Sequence, residues 1–171
     1  MINTVRPTTS ADIPALPVIE RAAGQRFQQA PGLQWIAQGP VISVDCHQHY
    51  AQQKMSWVVE HNDQPCGFLL AQAQSSTLFI VEISVHQACQ GLGLGRQLIS
   101  YVAAQAKAQG FTSLTLTTFR DVPWNAPWYA RMGFEILQED SLSTALRQKL
   151  MQEVAHGMAY ESRCAMRLML N

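Results

Sequence analysis

The feature that most constrains this chain is a strand, a glycine-rich turn and a helix in immediate succession. Thr77–Val85 (TLFIVEISV) is dominated by β-branched and other apolar residues, a strand composition. The turn Gln90-Gly91-Leu92-Gly93-Leu94-Gly95-Arg96 follows. Leu94, Leu98, Val102 and Ala106 then recur at every fourth position, one face of a helix that Gly110 can stop. Residues 112–118 (TSLTLTT) return to a strand pattern. Such a succession predicts a parallel strand pair joined by a right-handed crossover. The expected fold is α/β or α+β with a mixed sheet.

The flanking segments are less regular. Residues 2–6 suit a short opening strand. Residues 11–27 carry Ile13, Leu16, Ile19, Ala22 and Ala23 at helical spacing behind a cap at Thr9 and Ser10, although Pro14 and Pro17 limit the regularity of the start. Pro31-Gly32 and Gly39-Pro40 are breaks before a short helix expected at 44–53. Residues 56–60 and 66–74 read as strands about a turn at 61–64. Beyond residue 118 the pattern predicts a short helix at 125–132, a strand at 134–137, a helix at 144–156 and a last strand at 163–170.

A chain of 171 residues is long enough to bury a core and short enough to be one domain, taken here as 1–171. Charged residues are only 14% of it, against roughly 25% in an average globular chain. With 47% hydrophobic residues, intrinsic disorder is excluded. The formal net charge of zero removes the electrostatic argument for nucleic acid or an anionic membrane as a partner. No apolar run approaches the roughly 20 residues that span a bilayer, and the first residues show no secretory pattern. Four scattered cysteines without a CxxC pair suit free thiols in the cytoplasm. Asp45-Cys46-His47-Gln48-His49 superficially suggests a metal, but there is no second ligand pair, and neighbouring helical residues point apart. No metal is expected.

Three alternate glycines leave backbone N–H groups uncovered at a helix N-terminus, where the helix dipole favours an anion, and Arg96 can add a charge-assisted contact. A tight turn would need fewer glycines. The dinucleotide fingerprint G-x-G-x-x-G fails, because Arg96 or Leu98 stands where its third glycine belongs. The Gly-Lys-Ser/Thr of a P-loop is absent. The remaining pattern, Q-x-x-G-x-G at Gln90, Gly93 and Gly95, resembles the coenzyme A pyrophosphate loop of the GNAT superfamily of N-acetyltransferases. Asn125-Ala-Pro-Trp-Tyr-Ala-Arg-Met-Gly-Phe134 is similar to that superfamily's later motif, an Asn and then a Tyr just ahead of Gly-Phe. The segment from Thr117 to Trp124 resembles a bacterial subgroup of these acetyltransferases.

The resemblance implies a largely antiparallel central sheet in which the Thr77–Val85 strand splays from its parallel neighbour. The pantetheine arm of acetyl-CoA would pair with the main chain of Ile83, Ser84 and Val85. Gln90, Gly91, Leu92, Gly93, Leu94, Gly95 and Arg96 would cradle the pyrophosphate, and Asn125 would contact the cofactor arm. Tyr129 matches the general acid that protonates the departing thiolate; alternatively it simply packs against Trp128. An alkylammonium acceptor must lose a proton before attack. Glu82, in an otherwise apolar strand, is the candidate base, although pairing with an Arg or placement at a solvated edge would also explain it. His86 is a weaker alternative. Trp124, Trp128, Phe119, Arg120 and Asp121 would border the acceptor or belong to the core. The implied reaction is acetyl transfer to a primary amine of a small molecule or protein, by direct attack in a ternary complex; the alternative is a non-catalytic acyl-CoA-binding module. The 144–156 helix could wall the acceptor pocket or form a subunit interface, which leaves a homodimer open.

Overall fold

The computed structural model describes residues 3–171. They form two compact units, one made of the chain up to Gln72 with Ile80–Ala104, the other of Ala73–Phe79 with Gln105–Asn171. In the first unit, β1 (Asn3–Pro7), β2 (Ser56–His61) and β3 (Gln64–Gln74) are antiparallel neighbours, with Asn3 opposite His61 and Ser56 opposite Leu70. The β2–β3 hairpin turns on Asn62 and Asp63 at φ +55° and +61°, residue types that tolerate this region. Strand β4 (Thr77–Val85) begins in the second unit and ends in the first. It runs so close to β3 at Gly67 that a Cβ there would lie 2.9 Å from the Ser84 carbonyl oxygen.

Two helices complete the core of this unit. Leu16 and Ile19 of α1 (Leu16–Ala23) pack with Val58, Phe68 and Leu70, a cluster joined by Ile42, Tyr50 of α2 (Val44–Gln52) and Val81. The helix expected over 11–27 is an eight-residue α-helix between two 3-10 turns, Ile13–Ala15 and Gly24–Gln29. Pro14 and Pro17 remove donors from its first turns and Gly24 weakens its end, so apolar periodicity outran the helix. Thr9 and Ser10 do not cap it. Instead the buried Asp12 carboxylate accepts from the Thr9 N–H (2.7 Å) and from both Nη atoms of Arg6 (2.7 and 2.9 Å). The Arg6 hydrogen bonds hold this carboxyl below its ordinary range.

On α2, His47 is fully buried and meets Phe68 edge-on at 5.0 Å between ring centroids. Neither ring nitrogen has a hydrogen-bond partner. The side chains of the 45–49 segment diverge, Cys46 exposed and His47 inward. Among the described residues no group of three His, Cys, Asp or Glu could hold a metal ion. Burial pushes the His47 imidazole below its usual range, because the charged form is penalised. The unfolded chain then takes up a proton near pH 6.5 that the folded chain refuses, so stability is complete above that pH and falls below it. Between pH 7.5 and 5.5 urea unfolding should lose up to about 1 kcal/mol through this residue. The His47→Met variant should lack that component; an unaltered pH profile would remove His47 from it.

In the second unit the start of β4 pairs in parallel with β5 (Ser113–Phe119), from Thr77 opposite Ser113 to Phe79 opposite Thr115. Strand β7 (Arg163–Met169) runs antiparallel to β5 and to the two-residue β6 (Glu135–Ile136). The hydrogen-bonded order is β1-β2-β3-β4-β5-β7-β6. The sheet is mixed and mostly antiparallel, with one parallel pair, as the sequence predicts. Helix α3 (Leu94–Ala108) buries Leu94, Leu98, Val102 and Ala106, the face read from their spacing. Helix α4 (Ala126–Arg131) is one short stretch after β5. Helix α5 (Thr144–Ala155), capped by the Ser143 hydroxyl, inserts Leu146 and Leu150 into the core. No helix among the described residues is long and apolar enough to cross a membrane.

Candidate functional site

In the first unit the candidate residues form one continuous segment, the end of β4, a 3-10 turn (Gln87–Cys89) and the glycine turn into α3. Strand alternation puts Glu82 and Ser84 on the same face, and the buried Ser84 donates its hydroxyl to Glu82 Oε1 at 3.1 Å. Glu82 itself is half-buried. His86 is occupied locally, since its Nδ1 accepts from the Ala88 N–H at 3.0 Å. The side chain of Gln90 turns back toward the strand and donates to the Val85 carbonyl at 3.2 Å. It therefore fixes where the loop leaves β4.

Gly91 and Gly93 stand at φ +85° and +77°, and a Cβ at either would meet open space. Their role is conformational: the left-handed region turns successive amides outward without side-chain cover. Gly95 is buried in the first turn of α3, and Arg96 beside it is exposed. This fifteen-residue helix offers its unpaired N–H groups and positive dipole end at the loop. Such a cradle fits a phosphate group of a nucleotide-like cofactor. The cradle is built from backbone amides and a helix terminus rather than from a basic surface, in keeping with the scarcity of charge.

In the second unit, Asn125 precedes α4 and its side-chain amide donates to the Trp124 carbonyl at 3.0 Å. Its carbonyl accepts from the Tyr129 N–H at 3.0 Å. Tyr129 is 8% exposed, and its ring meets Trp128 at 5.0 Å and Phe134 at 5.6 Å, both edge-on. These edge-on contacts hold the aromatic ring in place. Phe119 belongs to the core and lies under the Arg163 guanidinium at 4.3 Å. Arg120 is exposed and borders a cavity of about 140 Å³ with Ile136, Glu139, Tyr160, Arg163 and Cys164. The sequence did not reveal that cavity, because its walls come together only through the β5–β7 register and the α5 insertion.

Residues 25–134 match the model of the Acetyltransferase (GNAT) family, and the chain belongs to that family. The fold recurs in solved structures at low identity. N-acetylglutamate synthase from Neisseria gonorrhoeae, complexed with coenzyme A and N-acetyl-glutamate, is 18% identical with a TM-score of 0.74. That match covers 100% of this chain and 36% of the synthase, so the chain spans about a third of the larger protein. The PaiA N-acetyltransferase from Thermoplasma acidophilum, in complex with coenzyme A, is 12% identical with a TM-score of 0.74, covering 99% of each chain. The yncA protein of Salmonella typhimurium with its cofactor acetyl-CoA is 18% identical with a TM-score of 0.70, covering 100% of this chain and 95% of that one.

Proposed function

We propose that this protein is an N-acetyltransferase that moves the acetyl group of acetyl-CoA onto a primary amine of a small molecule or protein, by direct attack in a ternary complex. The observation that carries the reading is the pair of outward-turned glycines, Gly91 and Gly93, immediately before the N-terminus of α3. Acetyl-CoA supplies an activated thioester. The chain's part is to hold the pyrophosphate on residues 90–96, to offer the main chain of Ile83, Ser84 and Val85 to the pantetheine arm, and to contact that arm through Asn125. Glu82 accepts the proton that an ammonium acceptor must lose, directly or through water. Tyr129 gives a proton to the departing sulfur. Support for an amine acceptor comes from family membership and from a fold shared with a synthase crystallised with an acetylated amino acid. The scarcity of charge disfavours polycationic tails as acceptors, since no strong acidic field would gather them. The cytoplasm is the compartment this reading assigns.

Calorimetry with coenzyme A, followed by thiol release from acetyl-CoA over a panel of amines, tests the proposal. Saturable binding and amine-dependent release are expected. Binding without turnover on any amine would instead favour the non-catalytic module, and no binding would end the acyl-CoA reading altogether.

A further inference from the structure

Two of the four thiols occupy one place in the first unit. The Cys66 carbonyl accepts from the His86 N–H at 2.8 Å, and His86 in turn accepts from the Cys89 N–H at 2.8 Å. Cys89 therefore lies one tight turn from the residue bonded to Cys66 across the β3–β4 ladder. The Cys66 thiol donates to the His61 carbonyl at 3.9 Å, and burial, with the Cys89 side chain beside it, pushes that thiol up to about 11. Cys66 is buried, whereas Cys89 is partly exposed. Cys89 is also the residue immediately before Gln90, where the glycine turn starts. The other two cysteines share none of this: Cys46 is exposed on α2 and Cys164 is buried on β7.

We propose that Cys66 and Cys89 are a reversible oxidation site, in which a hydroperoxide converts the two thiols into a disulfide. The exposures assign the order of events. The Cys89 thiolate, its proton released to water, attacks a peroxide oxygen; the O–O bond breaks, hydroxide leaves and is protonated to water, and Cys89 becomes a sulfenic acid. The Cys66 sulfur then attacks the Cys89 sulfur. The S–S bond forms as the S–O bond breaks, and the second hydroxide takes the Cys66 proton to leave as water. Two thiols and one hydrogen peroxide give one disulfide and two waters, and a dithiol reverses the change. Cys66 is buried and so is reached by the Cys89 sulfur rather than by the peroxide, which assigns it the resolving step.

The bridge acts on the loop. The two sulfurs must close to about 2.05 Å to bond, with Cβ atoms about 3.8 Å apart. That closure draws Cys89 toward β3, and with it the Gln90 backbone that sets the exit of the glycine turn. Oxidation thus weakens binding at the loop, a consequence that rests on the acyl-CoA reading above.

The test treats the intact protein with hydrogen peroxide, blocks residual thiols with iodoacetamide and maps the peptides by mass spectrometry. A Cys66–Cys89 linked peptide that dithiothreitol abolishes is expected. Alkylation of both residues after peroxide treatment would overturn the site, and this readout needs no variant. Cys89→Ser should eliminate the link and leave Cys66 alkylatable after denaturation. Calorimetry with coenzyme A on the reduced and linked forms then reads the coupling, with affinity expected to fall about fivefold or more. Equal affinity in a fully linked sample would overturn the coupling. Failure of both forms to bind coenzyme A would instead sink the proposed function, while leaving the peptide result standing.

Discussion

Replacing Tyr129 by Phe should lower kcat for amine acetylation by about 10²–10⁴-fold, the usual worth of a positioned general acid. The change is a clean one. The phenyl ring keeps the edge-on contacts with Trp128 and Phe134, and α4 keeps its backbone hydrogen bonds to Asn125 and Phe134. Only the hydroxyl goes. Affinity for coenzyme A should stay within a few-fold, since the phenol is proposed to act on the leaving sulfur rather than on the phosphates. The thermal midpoint should move little by comparison. A kcat that survives the substitution would reduce Tyr129 to a packing residue and require another proton source.

Gly67→Ala should be the most damaging single-methyl change to the fold. The new Cβ would sit 2.9 Å from the Ser84 carbonyl oxygen, 3.1 Å from Val59 Cγ1 and 3.2 Å from Val85 Cγ2. The valine methyls can turn aside, but the carbonyl belongs to the β4 backbone and cannot. Overpacking of this kind costs about 1–3 kcal/mol, equivalent to a midpoint lower by a few degrees to about 10 °C in a chain of this size. Trimming the mobile neighbour should not help, so Gly67→Ala with Val85→Ala is expected to be no more stable than Gly67→Ala alone. Recovery in the double variant would place the conflict at the valine rather than the backbone. Because the displaced carbonyl is that of Ser84, coenzyme A affinity should fall along with stability.

Legibility in the sequence followed the range of the interactions involved. The unit from β4 to β5 is visible because its signals are local: a β-rich run, alternating glycines, and four apolar residues on one helical face. The start of α1 misleads because apolar spacing persists through Pro14 and Pro17, which the backbone cannot carry as regular helix. Strand β6 shrinks to two residues because Phe134, expected to open it, is taken up by α4 through its N–H to the Tyr129 carbonyl and its ring. The glycine turn could be found by composition alone, but its neighbours could not. The Ser84–Glu82 hydrogen bond follows from strand alternation once the strand is known. The contact between Cys66 and Cys89 and the close approach at Gly67 depend on how β3 is registered against β4. Nothing within a few residues of either cysteine announces it.

A single carboxylate anchors α5. Glu153 receives the Thr117 hydroxyl on one oxygen at 2.5 Å and the Arg163 Nε on the other at 2.8 Å, so one side chain tethers the helix to both β5 and β7. Lys149, a turn earlier, rests its ammonium 5.3 Å from the centroid of the Phe79 ring. A segment bound this way is no longer a detachable ornament between β6 and β7. Excising it would strip Leu146 and Leu150 from the core and leave Arg163 facing Phe119 without its carboxylate. Any replacement of this helix therefore has to keep the contacts among Thr117, Glu153 and Arg163, or it arrives without its anchor.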